Sequence, residues 1–311
     1  MSASLPVLYD VVHTTEYDYS ESVAVSHHVA RLSPRGLPNQ QPLHHDLQIE
    51  PPPAVMTRHT DYFGNAVTYF AMQGSHKRLT VRARSRVALE PTTVPSPLAT
   101  PPWETVADRA ALPLEAVEFL FDSGLIRPGA DVVAYARASF RAGRPLLDAV
   151  LELTRRINEE FTFDTKATTI TTSLAQVFKS RRGVCQDFAR LEIACLRSLG
   201  LPARYVSGYL ETVPPPGRPR MLGADASHAW LAVYCPDAGW IHVDPTNNVL
   251  PSCSHVTTAW GRDYDDVSPV RGVILGGGNH TLRVNVDVLR VERVEQRSED
   301  EGLVVDPADR D

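Results

Sequence analysis

Cysteine is sparse in this chain, and no CxxC pair occurs. Its 4 cysteines, Cys185, Cys195, Cys235 and Cys253, are too few to staple 311 residues. Free thiols are therefore expected rather than a disulfide scaffold, and no structural zinc site is read. No apolar run approaches the ~20 residues that span a bilayer. The start, MSASLPVLYDVVHTTEYDYSESV, has neither a basic segment nor an apolar one behind it, so no secretory signal is read and a cytoplasmic location is expected. Dense basic runs are missing too. HKRLTVRARSR at 76–86 alternates like a strand and reads as a solvated face, and RRG at 181–183 is short. With Lys+Arg 31 against Asp+Glu 37 and a net charge of −6, neither nucleic acid nor a membrane is expected as a partner. No internal repeat is present.

What remains is the composition of a globular protein with a sizeable core, 43% hydrophobic and 22% charged. From Tyr9 to about Glu90 the text alternates or is β-branched, as in YDVVHTTEYDY, LHHDLQIEP, NAVTYFAM and LTVRARSRVAL, with a turn signal DYFGN at 61–65. This predicts an antiparallel β domain over 1–95. Residues 96–144 read as a linker with short helices, because the stretch 91–104, PTTVPSPLATPPWE, is proline-dense and aperiodic. Leu146, Leu147, Val150, Leu151, Ile157 and Phe161 then follow a helical period. A second helix opens after Gly183 with an apolar stripe of Phe188, Leu191, Ile193, Ala194, Leu196 and Leu199, and ends at Gly200 ahead of Pro202. ARYVSGYL reads as a strand and HAWLAVYCPDAGWIHVDP as two strands about the turn PDAG. ETVPPPGRPRMLGAD, 211–225, reads as a flexible flap, and NHTLRVNVDVLRVERV as the closing strand of a catalytic domain over 145–296. The charged residues 297–311 read as a disordered tail.

The chemistry centres on GVCQDF. A thiol reacts as thiolate, and a helix N-terminus favours that anion through its unpaired N–H groups and dipole; Cys185 occupies such a place, whereas Cys195 falls mid-helix on the apolar stripe as packing. A base is offered by His228 in ASHAWLAVY, which shares a strand face with Trp230, Ala232 and Tyr234. A turn at 236–238 sets even positions opposite even ones, so Asp244 in GWIHVDPTN lies on the His228 face, opposed or diagonal to it. An aspartate accepting from one ring nitrogen fixes the tautomer and frees the other nitrogen for the thiol. His242 is a rival base, Asn247 and Asn248 rival orienters, and His255 and the pair His27/His28 read as surface or loop residues. The backbone N–H of Cys185 is the legible oxyanion donor.

GVCQDFARLEIACLRSLGLPARYVSGYL, ASHAWLAVY and GWIHVDPTNN together resemble the three signature blocks of the transglutaminase-like superfamily, whose bacterial members are papain-like thiol enzymes. The resemblance covers about residues 145–270, and the β-rich first ninety residues resemble the N-terminal region that accompanies this domain in bacteria. It implies an α+β fold: a papain/transglutaminase-like core, with a cysteine-bearing helix on an antiparallel sheet, preceded by an antiparallel β domain. It also implies Cys185 as nucleophile, His228 as base and Asp244 as orienting acid, acting on amide bonds of a peptide or protein substrate through a thioester. Hydrolysis is expected first and γ-glutamyl transfer second, with a catalytically silent binding module as the reading from another class. No acidic calcium loop appears, so neither metal nor cofactor is expected. Gln186, Asp187, Trp230 and Tyr209 are secondary candidates for touching substrate or supporting the site. Asp187 is expected mainly to cap the helix, and Trp230, Tyr209 and Arg204 mainly to pack.

Overall fold

A computed structural model describes residues 6–109, 112–211 and 227–291. The flap from residue 212 on and the tail expected over 297–311 lie outside them. Alternation in the first ninety residues builds β1 (Val7–Ala30), β2 (Gln40–Glu50), β3 (Val55–Thr60), β4 (Ala66–Met72) and β5 (His76–Leu89). The turn expected at 61–65 joins β3 to β4, where Asp61 Oδ1 accepts from the N–H groups of Phe63 and Asn65 at 3.0 and 2.9 Å and Gly64 supplies the φ of +76°.

The helical half starts with α1 (Trp103–Ala107), α2 (Leu114–Val117), α3 (Ala130–Arg137) and α4 (Leu146–Glu160). Then come β6 (Thr162–Phe163), α5 (Leu174–Ser180), β7 (Arg182–Gly183), α6 (Cys185–Ser198), β8 (Ala203–Leu210), β9 (Ser227–Cys235), β10 (Gly239–Val243), β11 (His255–Gly261), α7 (Tyr264–Val267), β12 (Val270–Gly276) and β13 (His280–Val291). A four-stranded antiparallel sheet runs β10-β9-β8-β11, and α6 packs across β8 and β9. Leu191, Ile193, Leu196, Leu231 and Val233 are fully buried in the core that α6 shares with this sheet and the other helices; each such side chain contributes roughly 1.5–3 kcal/mol. α6 is buried on more than its apolar stripe. Its charged residues are satisfied inside: Arg190 pairs with Asp187, Glu192 accepts from Thr154, and Arg197 donates to the carbonyls of Phe121, Ala203 and Arg262. The helix ends at Gly200, φ +81°, as its sequence predicts.

Two expectations change. The closing strand β13, assigned by its position to the catalytic half, pairs instead with β1 along Leu8–Tyr19, and β12 pairs with the later part of β1. Alternation sets which face a strand buries but not which edge it joins, and the free edge of β1 takes it. The proline-dense linker is also no loose tether: the N–H of Trp103 donates to Arg144 O and that of Leu146 to Pro101 O, at 3.1 and 2.9 Å. Among the described residues no helix is long and apolar enough to cross a membrane.

Candidate active site

Cys185 is the first residue of α6 and is half-buried. Asp187 shapes this start. Its Oδ2 accepts from the Val184 N–H at 2.9 Å and from the Thr168 hydroxyl at 2.6 Å, and its other oxygen pairs with Arg190. The capping role expected of Asp187 is what its bonds describe. Gly183 is required beside it, since a Cβ there would sit 2.8 Å from the Asp187 side chain. The N–H groups of Asp187 and Phe188 return to Val184 O, which leaves those of Cys185 and Gln186 among the orphan donors of the first turn.

β9 and β10 pair with Gly239 opposite Cys235 and Val243 opposite Leu231, so Asp244 just beyond β10 stands diagonal to His228. His228 Nε2 lies 2.8 Å from Asp244 Oδ2, and the ring lines the same cleft as Cys185. With Nε2 committed to the carboxylate, Nδ1 is the nitrogen left for sulfur. Burial opposes a charge on His228, but the hydrogen bond to Asp244, the nearby Cys185 and the carboxylate's charge outweigh it and push the imidazole up to about 10. Burial opposes ionisation of Asp244 as well, yet hydrogen bonds from His228 and His255 hold it well below the usual carboxylate range. The two shifts agree on an imidazolium–carboxylate pair.

His255, expected as a surface or loop residue, is instead buried at the start of β11, its Nε2 3.1 Å from the same Asp244 Oδ2. Burial lowers its pKa despite that carboxylate, so it serves as a neutral donor. His28, for which the same surface or loop place is expected, is buried in β1 against Phe70; His27 is exposed. Asn247 does not replace Asp244. Its Nδ2 donates to Asp244 Oδ2 at 2.7 Å, while the N–H groups of Thr246 and Asn247 reach Oδ1 at 2.9 and 3.3 Å. His242 is no base for Cys185, because its Nδ1 accepts from the Trp230 indole at 2.8 Å and burial pulls it down to about 3. Trp230 is fully buried, stacks on His228 at 5.9 Å and meets His255 edge-on at 5.2 Å. Gly208, paired with His228 across β8 and β9, makes room for it: a Cβ there would fall 2.8 Å from the indole and 1.9 Å from Val256 O.

Cys185, Gln186 and His228 open onto a cleft of about 360 Å³ whose facing wall comes from the first sheet, including His13, Thr15, Tyr17, Leu282 and Val284. Tyr209 does not line it. The Tyr209 side chain is buried between the two sheets, and its hydroxyl hydrogen-bonds His13 Nδ1 at 3.2 Å. His255 and the sheet-borne wall were missed in the sequence because both arise from contacts distant in the chain. His228, Asp244 and His255 place their ligand atoms within 4.8 Å of one another and could hold a cation. The hydrogen bonds to both oxygens of Asp244 already account for its ionisation, and an ion there would displace the two imidazole bonds.

A cysteine at a helix start, sharing a cleft with a histidine that a buried aspartate orients beside an antiparallel sheet, places the molecule in the papain/transglutaminase-like fold class. The chain belongs to the transglutaminase-like superfamily: residues 133–245 match "Transglutaminase-like superfamily" and residues 9–88 match "Bacterial transglutaminase-like N-terminal region". An uncharacterized protein of Mycobacterium tuberculosis is 42% identical over 307 residues, covering 94% of this chain and 96% of its own. A Pseudomonas aeruginosa protein-glutamine gamma-glutamyltransferase is 37% identical over 76 residues, 24% of this chain and 11% of that protein. The fold is shared with a Cytophaga hutchinsonii structure described as a "Putative Cysteine Protease", TM-score 0.73 at 21% identity, covering 93% of this chain and 92% of the other.

Proposed function

We propose that this protein is a thiol enzyme that cleaves amide bonds of peptide or protein substrates through a thioester on Cys185. The observation that carries the reading is His228, hydrogen-bonded to Asp244 at 2.8 Å and lining one cleft with Cys185, whose proximity helps raise the imidazole's pKa. The Cys185 thiolate adds to the amide carbonyl, and the oxygen's developing charge meets the Cys185 N–H at the positive end of α6. His228, as imidazolium, gives its proton to the leaving amine as the C–N bond breaks, leaving the thioester. Water then attacks, His228 accepts its proton, and the C–S bond breaks to release the acid and restore the thiolate–imidazolium pair. Asp244 keeps the ring oriented and stabilises its charge throughout.

Hydrolysis ranks first because water is an acceptor that needs no second binding site. Transfer to an amine is the second reading, favoured by the local likeness to the Pseudomonas gamma-glutamyltransferase. Incubation with a glutamine-bearing peptide library and a labelled primary amine separates them: new termini or glutamate indicate hydrolysis, and label incorporation indicates transfer. Absence of both products, with wild type and Cys185→Ala indistinguishable, would leave the silent binding module as the better description.

A further inference from the structure

A second cavity, of about 600 Å³, is larger than the Cys185 cleft and shares no lining residue with it. It opens on the sheet face turned away from α6, where Trp230, Trp240 and Trp260 cluster with Val206 and Ala232. Arg204 of β8 reaches into its wall, 7% exposed. The guanidinium lies 4.4 Å from the Trp240 ring centroid and 3.7 Å from that of Trp260, so its flat faces are occupied by aromatic carbon. Among the described residues it forms no ion pair and no hydrogen bond, and its Nε is buried without a partner. Glu90, at the cavity's rim, is exposed and makes no ion pair with it.

The other two buried arginines of this half behave differently. Arg190 has Asp187, and Arg197 has three carbonyls. A guanidinium removed from water without an acceptor is costly, and stacking on two indoles offsets only part of that. Burial and the neighbouring Arg35 charge both hold Arg204 well below the usual guanidinium range, the direction expected of a cation that lacks its anion. Arg35, 3.5 Å from the Trp260 centroid, is itself bonded to Asn65 and Phe63, leaving Arg204 as the group with an unused planar edge. Such an edge matches a carboxylate with two parallel N–H donors, and the indole and proline walls suit an organic body rather than a bare inorganic anion.

We infer that this cavity is a binding site for a small organic carboxylate carrying an apolar or aromatic group, seated on Arg204 between Trp240 and Trp260. The ligand would be a free acid or the C-terminal residue of a peptide. Since three of the chain's 4 tryptophans line the cavity, intrinsic fluorescence reports occupancy directly.

The test titrates the full chain carrying Cys185→Ala, which prevents turnover, with phenylacetate, N-acetyl-phenylalanine and N-acetyl-Ala-Ala-Phe, each against its carboxamide. The expected result is saturable quenching in which an acid binds roughly ten- to hundredfold tighter than its amide. Preference for phenylacetate identifies a free-acid site and preference for the tripeptide a peptide C-terminus. Arg204→Met, of similar length and able to stack, should abolish the acid preference while circular dichroism stays native. Equal binding of acids and amides, no binding of any acid, or an acid preference that survives in folded Arg204→Met would overturn the proposal. If Arg204→Met does not fold, the acid-against-amide comparison in the parent chain decides alone.

Discussion

His228 carries the electrostatics of the site, and its consequences are measurable residue by residue. Because its folded pKa is raised from the ordinary 6.5 to about 10, its contribution to stability is fully present below 6.5 and fades as pH rises toward 10. Asp244 is shifted down, so its contribution is present above its ordinary 3.8 and is lost as acid titrates it. The stability difference between wild type and His228→Asn should therefore be greatest between these limits and shrink on both sides, as chemical denaturation across pH would show. The same imidazolium is the proposed proton donor, so kcat/KM should fall as pH climbs through about 10. Asp244→Asn, which leaves two imidazoles competing for a neutral amide, should lower kcat/KM by roughly 10²–10⁴ while the far-ultraviolet spectrum holds. Iodoacetamide gives a test that needs no substrate. Cys195 and Cys235 are buried, so mass spectrometry of the folded protein should find Cys185 labelled first and those two spared. His228→Ala should slow that labelling about tenfold or more; equal rates would contradict an activated thiol.

Among the elements, the edge strand β11 shows how the two halves are joined. It is one of the two outer strands of the four-stranded sheet, and an exposed edge would invite pairing with other chains. Two side-chain amides from the first half replace the missing strand. Gln40 accepts from the Thr257 N–H and donates to the Thr257 carbonyl, each at 2.8 Å. Asn65 does the same for Trp260 at 2.9 and 2.8 Å. Gln40→Leu would strand the buried Thr257 N–H, while the Thr257 carbonyl keeps the Arg35 N–H at 3.0 Å, so a loss of about 1–3 kcal/mol in urea unfolding is expected. A loss below about 0.5 kcal/mol would mean that water takes over the Thr257 N–H.

For the molecule as a whole, Tyr9, Val11, Val87, Leu89, Val286 and Val288 of the first sheet share a core with Tyr209 and Val256 of the second, and the cleft beside Cys185 is walled by both sheets. Neither sheet buries its apolar surface alone. Calorimetry should accordingly show one unfolding transition; two separated transitions would mean that the halves hold together independently.

The three residues that define the site were legible in the text because each sits on a local signal. A glycine and an apolar stripe mark the start of α6 at Cys185, and strand alternation about a short turn fixes the register of His228 with Asp244. His255 was not legible: its bond to Asp244 spans the irregular segment between β10 and β11, which carries no period. Gln40 and Thr257, 217 positions apart, were invisible for the same reason. Local patterns in the chain were enough to place the helix and strands, the faces they bury, and the expectation that a thiol, an imidazole and a carboxylate converge. Long-range packing alone set β13 against β1, made the first sheet a wall of the cleft, and left Arg204 between two indoles with no acceptor among the described residues. Periodicity records the side of an element that avoids water, whereas the surface it meets depends on contacts between segments hundreds of residues apart.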